Sequence, residues 1–172
     1  MNNTRPLNRL ALHLVAAAAL LTGSAAAWAH GNAPHATVKA AMSAQQQDWG
    51  IAGNAKAVQR TITLRMGDDM RFAPAHIEVR EGETVRLVVH NQGQLLHEIV
   101  LGTQTTLAQH AEMMAKHPGM EHDEAYMAHV AGKRGQIIWQ FNRPGRFDFA
   151  CLIPGHYQAG MVGTINVLPR KG

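Results

Sequence analysis

A single cysteine in 172 residues excludes an intramolecular disulfide, a cysteine-rich zinc module and any cluster held by several thiolates. Aromatic residues are scarce at 5%, and charged residues reach only 16%. With 46% apolar residues, that composition excludes disorder throughout and leaves enough material for one buried core. The length suits one domain behind a leader rather than two. No basic run occurs anywhere. Lys and Arg number 16 against 12 Asp and Glu, and a leader carrying Arg5 and Arg9 would leave 14 against 12. That surplus gives no argument for nucleic acid as a partner. Gly (16), His (11) and Met (9) are what the chain has in quantity.

Residues 1–29 read as a signal peptide. Arg5 and Arg9 form the positive region, residues 10–21 the apolar stretch, and Ala27-Trp28-Ala29 the small-residue cleavage site. The apolar stretch is short for a bilayer span, which takes about 20 residues, so we expect cleavage and no membrane span in the mature form. There is no Arg-Arg pair for the twin-arginine route, and no Cys follows the apolar stretch to carry a lipid. The expected location is therefore the periplasm. In that oxidising compartment an exposed thiol would not survive, so Cys151 is either buried and inert or held as a metal thiolate.

Residues 30–56 are rich in Ala, Gln and Gly without a period and read as a flexible N-terminal arm. From residue 57 to 172 the pattern is that of one β domain. Ile62, Leu64 and Met66 alternate with polar residues, as do Ile77 and Val79, then Val85, Leu87 and Val89. Further strands are expected over 98–101, 136–141, 146–150 and 162–167, with Trp139 and Phe141 in the core and His76 and His90 on the outward phase. Turn signals separate them at Gly67-Asp68-Asp69, Glu81-Gly82-Glu83, Asn91-Gln92-Gly93 and Arg143-Pro144-Gly145. Such punctuation predicts an all-β antiparallel sandwich or barrel. One segment departs from it. A capping box at Thr106 and Gln109 predicts a helix over 107–116, ending before His117-Pro118. Leu107, Ala111 and Met114 share one of its faces; His110, Met113 and His117 share another.

The chemistry lies in Cys151-Leu-Ile-Pro-Gly-His156-Tyr-Gln-Ala-Gly-Met161, with the spacing C-x4-H-x4-M between two strands. A loop whose ends are fixed by strands can fold thiolate, imidazole and thioether around one small volume. A second imidazole has to come from elsewhere. His97 opens a strand 54 positions before Cys151, and in a Greek-key sandwich the two strand ends can meet at one pole. Paired imidazoles, one thiolate and a weak thioether form a donor set that selects copper over zinc or iron. Cysteine-protease chemistry is rejected, because Cys151 follows a strand in an apolar stretch rather than opening a helix beside an activating base.

The stretch from Val58 to Leu168 resembles the cupredoxins, the plastocyanin and azurin type of mononuclear type 1 copper domain. The resemblance rests on His97-Glu98, Asp69-Met-Arg-Phe72-Ala-Pro74, Glu81-Gly-Glu-Thr84 and Cys151-Leu-Ile-Pro-Gly-His156, and the ligand loop is similar to the rusticyanin type. The same segments resemble periplasmic cupredoxins associated with copper tolerance. The resemblance implies a Greek-key β-sandwich with a short helical Met/His-rich insertion. It implies one copper held by His97, Cys151, His156 and Met161, and single-electron transfer through His156 with a rim of Pro154, Gly155 and Ala159. The expected partner is a redox protein, a cytochrome or a copper oxidase, and no enzyme activity is expected. The alternative is a copper-buffering protein with a second, weaker site. Residues 110–129 hold four of the 11 His and four of the 9 Met, which supplies ligands for both copper oxidation states. His30, exposed by cleavage, is a further candidate chelator.

Overall fold

The computed structural model describes residues 45–117, 123–130 and 132–171. The expected signal peptide, His30, and Met120 and His122 of the Met/His segment lie outside them. Among the described residues ten strands form two five-stranded sheets. In chain order they are β1 (Ile51–Ala52), β2 (Arg60–Gly67), β3 (Arg71–Ala73), β4 (His76–Arg80), β5 (Glu83–Asn91), β6 (His97–Gly102), β7 (Met127–Val130), β8 (Arg134–Phe141), β9 (Gly145–Ala150) and β10 (Val162–Leu168). One sheet has the order β1-β8-β5-β2-β3 and the other β4-β10-β9-β6-β7. Among the described residues no helix is long and apolar enough to cross a membrane.

The alternating strands bury the faces their sequences prescribe. Leu64 and Met66, Ile77 and Val79, and Val85, Leu87 and Val89 all enter the space between the sheets. Ile137, Trp139 and Phe141 meet them from β8, and His76 faces outward. Two pairings are parallel rather than antiparallel: β2 with β5, and β4 with β10. A chain that crosses from one sheet to the other between neighbouring strands produces such pairs, and hydrophobic alternation is identical for both senses.

Strand β6 is buried at all six positions, and this removes the alternation that would have marked its ends. Ile99 and Leu101 face the main core. Val100 faces a second cluster with Leu107, Ala111, Met127, Ala150 and Leu152, under a helix α1 (Gln104–Lys116). The helix buries Leu107, Ala111 and Met114 as its periodicity required. Its start differs from expectation. Thr103 is the N-cap, and the box is reciprocal between two threonines: Thr106 N–H donates to Thr103 Oγ1 at 3.2 Å and Thr103 N–H donates to Thr106 Oγ1 at 2.9 Å.

The expected arm is corrected where it is described. Trp49 is buried in the core, its carbonyl accepts the indole N–H of Trp139 at 2.9 Å, and its ring meets Tyr126 edge-on at 5.3 Å. Strand β1 then pairs with β8. This stretch therefore belongs to the sandwich, fastened by one large aromatic residue rather than by a periodic face.

Candidate metal centre

Three turns converge at one pole. The first is the tight turn after β2, where Met70 N–H donates to Gly67 O at 3.0 Å and presents Asp68. The second joins β5 to β6. Asp68 accepts the backbone N–H groups of Gln94 at 2.8 Å and Leu95 at 3.1 Å, and these donors hold its carboxyl below the usual carboxylate range, with His97 adding to the effect. Asn91 braces the same turn through the Leu95 carbonyl and the Gly93 N–H. Gly93 has to be glycine because a Cβ there would collide with the Asp68 carboxylate.

At the start of β6, His97 is wholly buried and its Nε2 lies 3.2 Å from Asp68 Oδ1. An ionised carboxylate only accepts, so Nε2 carries the proton and Nδ1 keeps its lone pair. That Nδ1 is buried without a hydrogen-bond partner. A buried polar atom left in this state calls for an explanation, and a metal ion supplies one.

The third turn carries Cys151, His156 and Met161. Cys151 N–H donates to Met161 O, and Met161 N–H donates to His156 O, both at 3.1 Å. The loop is thus drawn into a ring closed where β9 ends and β10 begins. Gly155 and Gly160 make its bends with φ of +91° and +90°. From β3, Arg71 Nη1 donates to Ala159 O and Met70 O, each at 2.8 Å, tying the loop to the Asp68 turn.

His97, Cys151 and His156 offer ligand atoms that all lie within 4.8 Å of one another. Cys151 Sγ is 3.3 Å from His156 Nδ1, and the two imidazole rings are 5.0 Å apart at 50°. Burial lowers the His156 pKa and the neighbouring His97 lowers it further, against the opposing charge of Asp68, which favours the neutral, metal-binding form of the ring. Burial pushes the Cys151 thiol up to about 12, against the pull of backbone N–H groups from Glu98 and Ile153. A thiolate here needs a cation beside it, and a coordinated metal deprotonates a thiol outright. Met161 is fully buried in the same apolar cluster as Cys151. Two imidazoles and one thiol, with Met161 buried in the same cluster as the thiol, fit copper.

Of the four expected ligands, the structure brings His97, Cys151 and His156 within 4.8 Å of one another and buries Met161 in the same cluster as Cys151, and it adds residues that hold them. Asp68 had been read only as part of a turn signal, and Glu98 only as part of the His-Glu pair. In the structure Glu98 is buried, receives Leu152 N–H at 3.0 Å and contacts His129 Nδ1 at 3.0 Å. On α1, His110 and Met113 are half-buried and His117 is exposed. Among the described residues the potential ligand group of three or more His, Cys, Asp or Glu is the one at this pole.

Comparison with known proteins agrees with this geometry. The family described as copper binding proteins, plastocyanin/azurin family, matches residues 58–168. The copper-resistant cuproprotein CopI of Rubrivivax gelatinosus is 48% identical over 136 residues, covering 77% of this chain and 82% of that protein. CopI of Pseudomonas aeruginosa is 37% identical over 159 residues, covering 75% and 87%. Among solved structures, reduced auracyanin from the photosynthetic bacterium Roseiflexus castenholzii superposes with a TM-score of 0.56 over 65% of this chain and 99% of that one. At 22% identity that likeness speaks for the fold alone. The chain belongs to the plastocyanin/azurin family of copper binding proteins, the cupredoxins.

Proposed function

We propose that this protein is a periplasmic type 1 copper protein that carries single electrons and serves copper tolerance. The observation that carries the reading is the convergence of His97, Cys151 and His156 within 4.8 Å, together with the orphaned Nδ1 of His97. In this reading His97, Cys151 and His156 hold the copper and Met161 is a weak fourth donor. Copper when bound supplies a one-electron couple. The residues supply rigidity: Asp68 fixes the His97 ring, the Cys151–Met161 backbone bonds fix the loop, and Arg71 fixes its outer bend. A site held this firmly reorganises little when its charge changes, which is what a carrier requires.

His156 is the half-exposed member of the set, while His97, Cys151 and Met161 are buried. Around it Pro154, Gly155 and Ala159 are exposed, and Leu95 and Leu96 are 47% and 51% exposed. This rim suits brief docking of a redox protein, a cytochrome or a copper oxidase. A copper held by these residues would supply electron transfer rather than substrate chemistry, and the match to the copper binding proteins of the plastocyanin/azurin family supports a carrier over an enzyme. The copper-tolerance role is supported by the relatives described as copper-resistant cuproproteins, and the periplasmic location by the leader-like residues 1–29.

A second reading is copper buffering with an additional weak site and no dedicated electron-transfer partner. It is favoured by the face of α1 that turns His110, Met113 and His117 away from the buried Leu107, Ala111 and Met114. The visible spectrum of the copper-loaded protein tests the first reading: an intense thiolate-to-copper band is expected, and its absence overturns the type 1 assignment. Deleting the gene separates the two, since lost copper tolerance with intact respiratory electron flow favours buffering.

A further inference from the structure

Beside the ligand loop lies a cavity of about 570 Å³, lined by helix α1, strands β9 and β10 and the loop residue Tyr157. On β9, Phe147 and Phe149 turn into the core, so Arg146 and Asp148 face outward and line the cavity together. Thr164 of β10 lies directly opposite Asp148 in the sheet. The rest of the wall is apolar. Leu107 of α1 is buried, Val162 is 41% exposed, and Tyr157 packs against the cluster that contains Leu107.

Two charged groups in this cavity lack the partners such groups normally find. The Asp148 side chain is half-buried, and among the described residues its carboxyl accepts no hydrogen bond and joins no ion pair within contact distance. Burial raises its pKa, and the charge of Arg146 opposes that rise. The Arg146 guanidinium, two positions away, is likewise without a hydrogen-bonded partner among the described residues. Desolvating a carboxyl without giving it a donor costs free energy. A cavity of this size can admit a small ligand that supplies one.

The pair also sets the charge of that ligand. A bare anion drawn by Arg146 is repelled by Asp148, and a metal ion drawn by Asp148 is repelled by the guanidinium. A molecule of both signs satisfies both residues. Positions two apart on a strand are separated by about 7 Å, which leaves room for an ammonium and a carboxylate side by side. Leu107, Val162 and the Tyr157 ring then suit an aliphatic arm.

We propose that this cavity binds a small zwitterion of the α-amino acid class, with Arg146 taking its carboxylate, Asp148 its ammonium group, and Leu107, Val162 and Tyr157 its aliphatic side chain. The site shares no side chain with His97, Cys151, His156 or Met161, so it stands independently of the copper reading.

The test titrates free leucine into the isotope-labelled full chain, once with reduced copper bound and once metal-free. Saturable shifts of the Tyr157 and Thr164 amide signals are expected in both forms. N-acetylleucine lacks the ammonium and leucinamide lacks the carboxylate, and each should bind about tenfold more weakly or worse; Arg146→Gln and Asp148→Asn should weaken leucine by the same factor. No saturable shift in either form overturns the site. Shifts seen only with copper bound place leucine on the metal and overturn it as well. Leucinamide or N-acetylleucine binding as well as leucine refutes the zwitterion, and this comparison decides the point even where a variant fails to fold.

Discussion

Asp68 holds His97 by Nε2 and leaves Nδ1 as the ring nitrogen without a hydrogen-bond partner. With Nε2 3.2 Å from the carboxylate, the buried Nδ1 is the ring nitrogen left to bind a metal ion. A carboxylate in this position orients the ring and raises its basicity, and loss of such a partner costs about 10–100-fold in metal affinity. We expect Asp68→Ala to weaken copper binding by about that factor while the fold is retained, because Asp68 is partly exposed on a turn. Competition against a copper chelator measures it. Affinity equal to that of the parent would remove Asp68 from the site.

The same pair makes a prediction at a residue that touches no ligand. A methyl group at Gly93 would collide with the Asp68 carboxylate, so Gly93→Ala has to displace either the turn or the acid. Forcing such a shift costs about 1–3 kcal/mol, read from urea unfolding. Copper affinity should fall in parallel with Asp68→Ala. A stability loss with unchanged affinity would mean the turn moves and leaves the Asp68–His97 contact intact.

Cys151→Ser removes the only thiol and with it the intense charge-transfer band, because a hydroxyl lacks the sulfur orbital. Copper stabilises the native chain by preferential binding, about 4 kcal/mol when copper exceeds the Kd a thousandfold, and the serine variant should lose most of that gain. Thermal unfolding with and without Cu(II) measures it. A serine variant that stays coloured would refute the thiolate assignment.

The donor spacing was legible in the sequence because C-x4-H-x4-M is local, and strands on either side fix its ends. The core was legible for a similar reason: alternation at Val85, Leu87 and Val89 records a single buried face. The supporting shell was not legible. Asp68 reaches His97 across 29 positions, and Glu98 reaches Leu152 across 54; no short-range pattern reports either contact. Strand β3, only three residues long, is too short to show a period. Strand β7 shows no clean alternation, because Met127, Ala128 and Val130 are all buried within its four residues. The helix start moved from Thr106 to Thr103 because a threonine fills the box position where Glu or Gln is usual.

Met161 closes the ligand loop by backbone bonds to both Cys151 and His156, so its place does not depend on its sulfur. Its thioether is the softest and weakest of the four proposed donors. Met161→Leu keeps the volume of a fully buried side chain, and swaps of this kind cost less than about 1.5 kcal/mol. The variant should retain one copper and shift its reduction potential upward, since losing a donor disfavours Cu(II). Loss of copper altogether would make Met161 an essential ligand.

The last prediction concerns the Met/His segment. The buried face of α1 is occupied by Leu107, Ala111 and Met114, so replacing residues of the other face leaves the packing in place. Substituting His110, Met113, His117, Met120 and His122 together should therefore preserve the type 1 spectrum and the unfolding midpoint. If the segment holds a second copper, stoichiometry falls from two to one, and the variant strain becomes sensitive to copper. Soft thioethers prefer Cu(I), so the lost copper should be the fraction bound under reducing conditions. If one copper is bound before and after the change, Met114 and its neighbours are a packed cover over β6, with methionine filling an irregular gap, and the carrier reading stands without a buffering site.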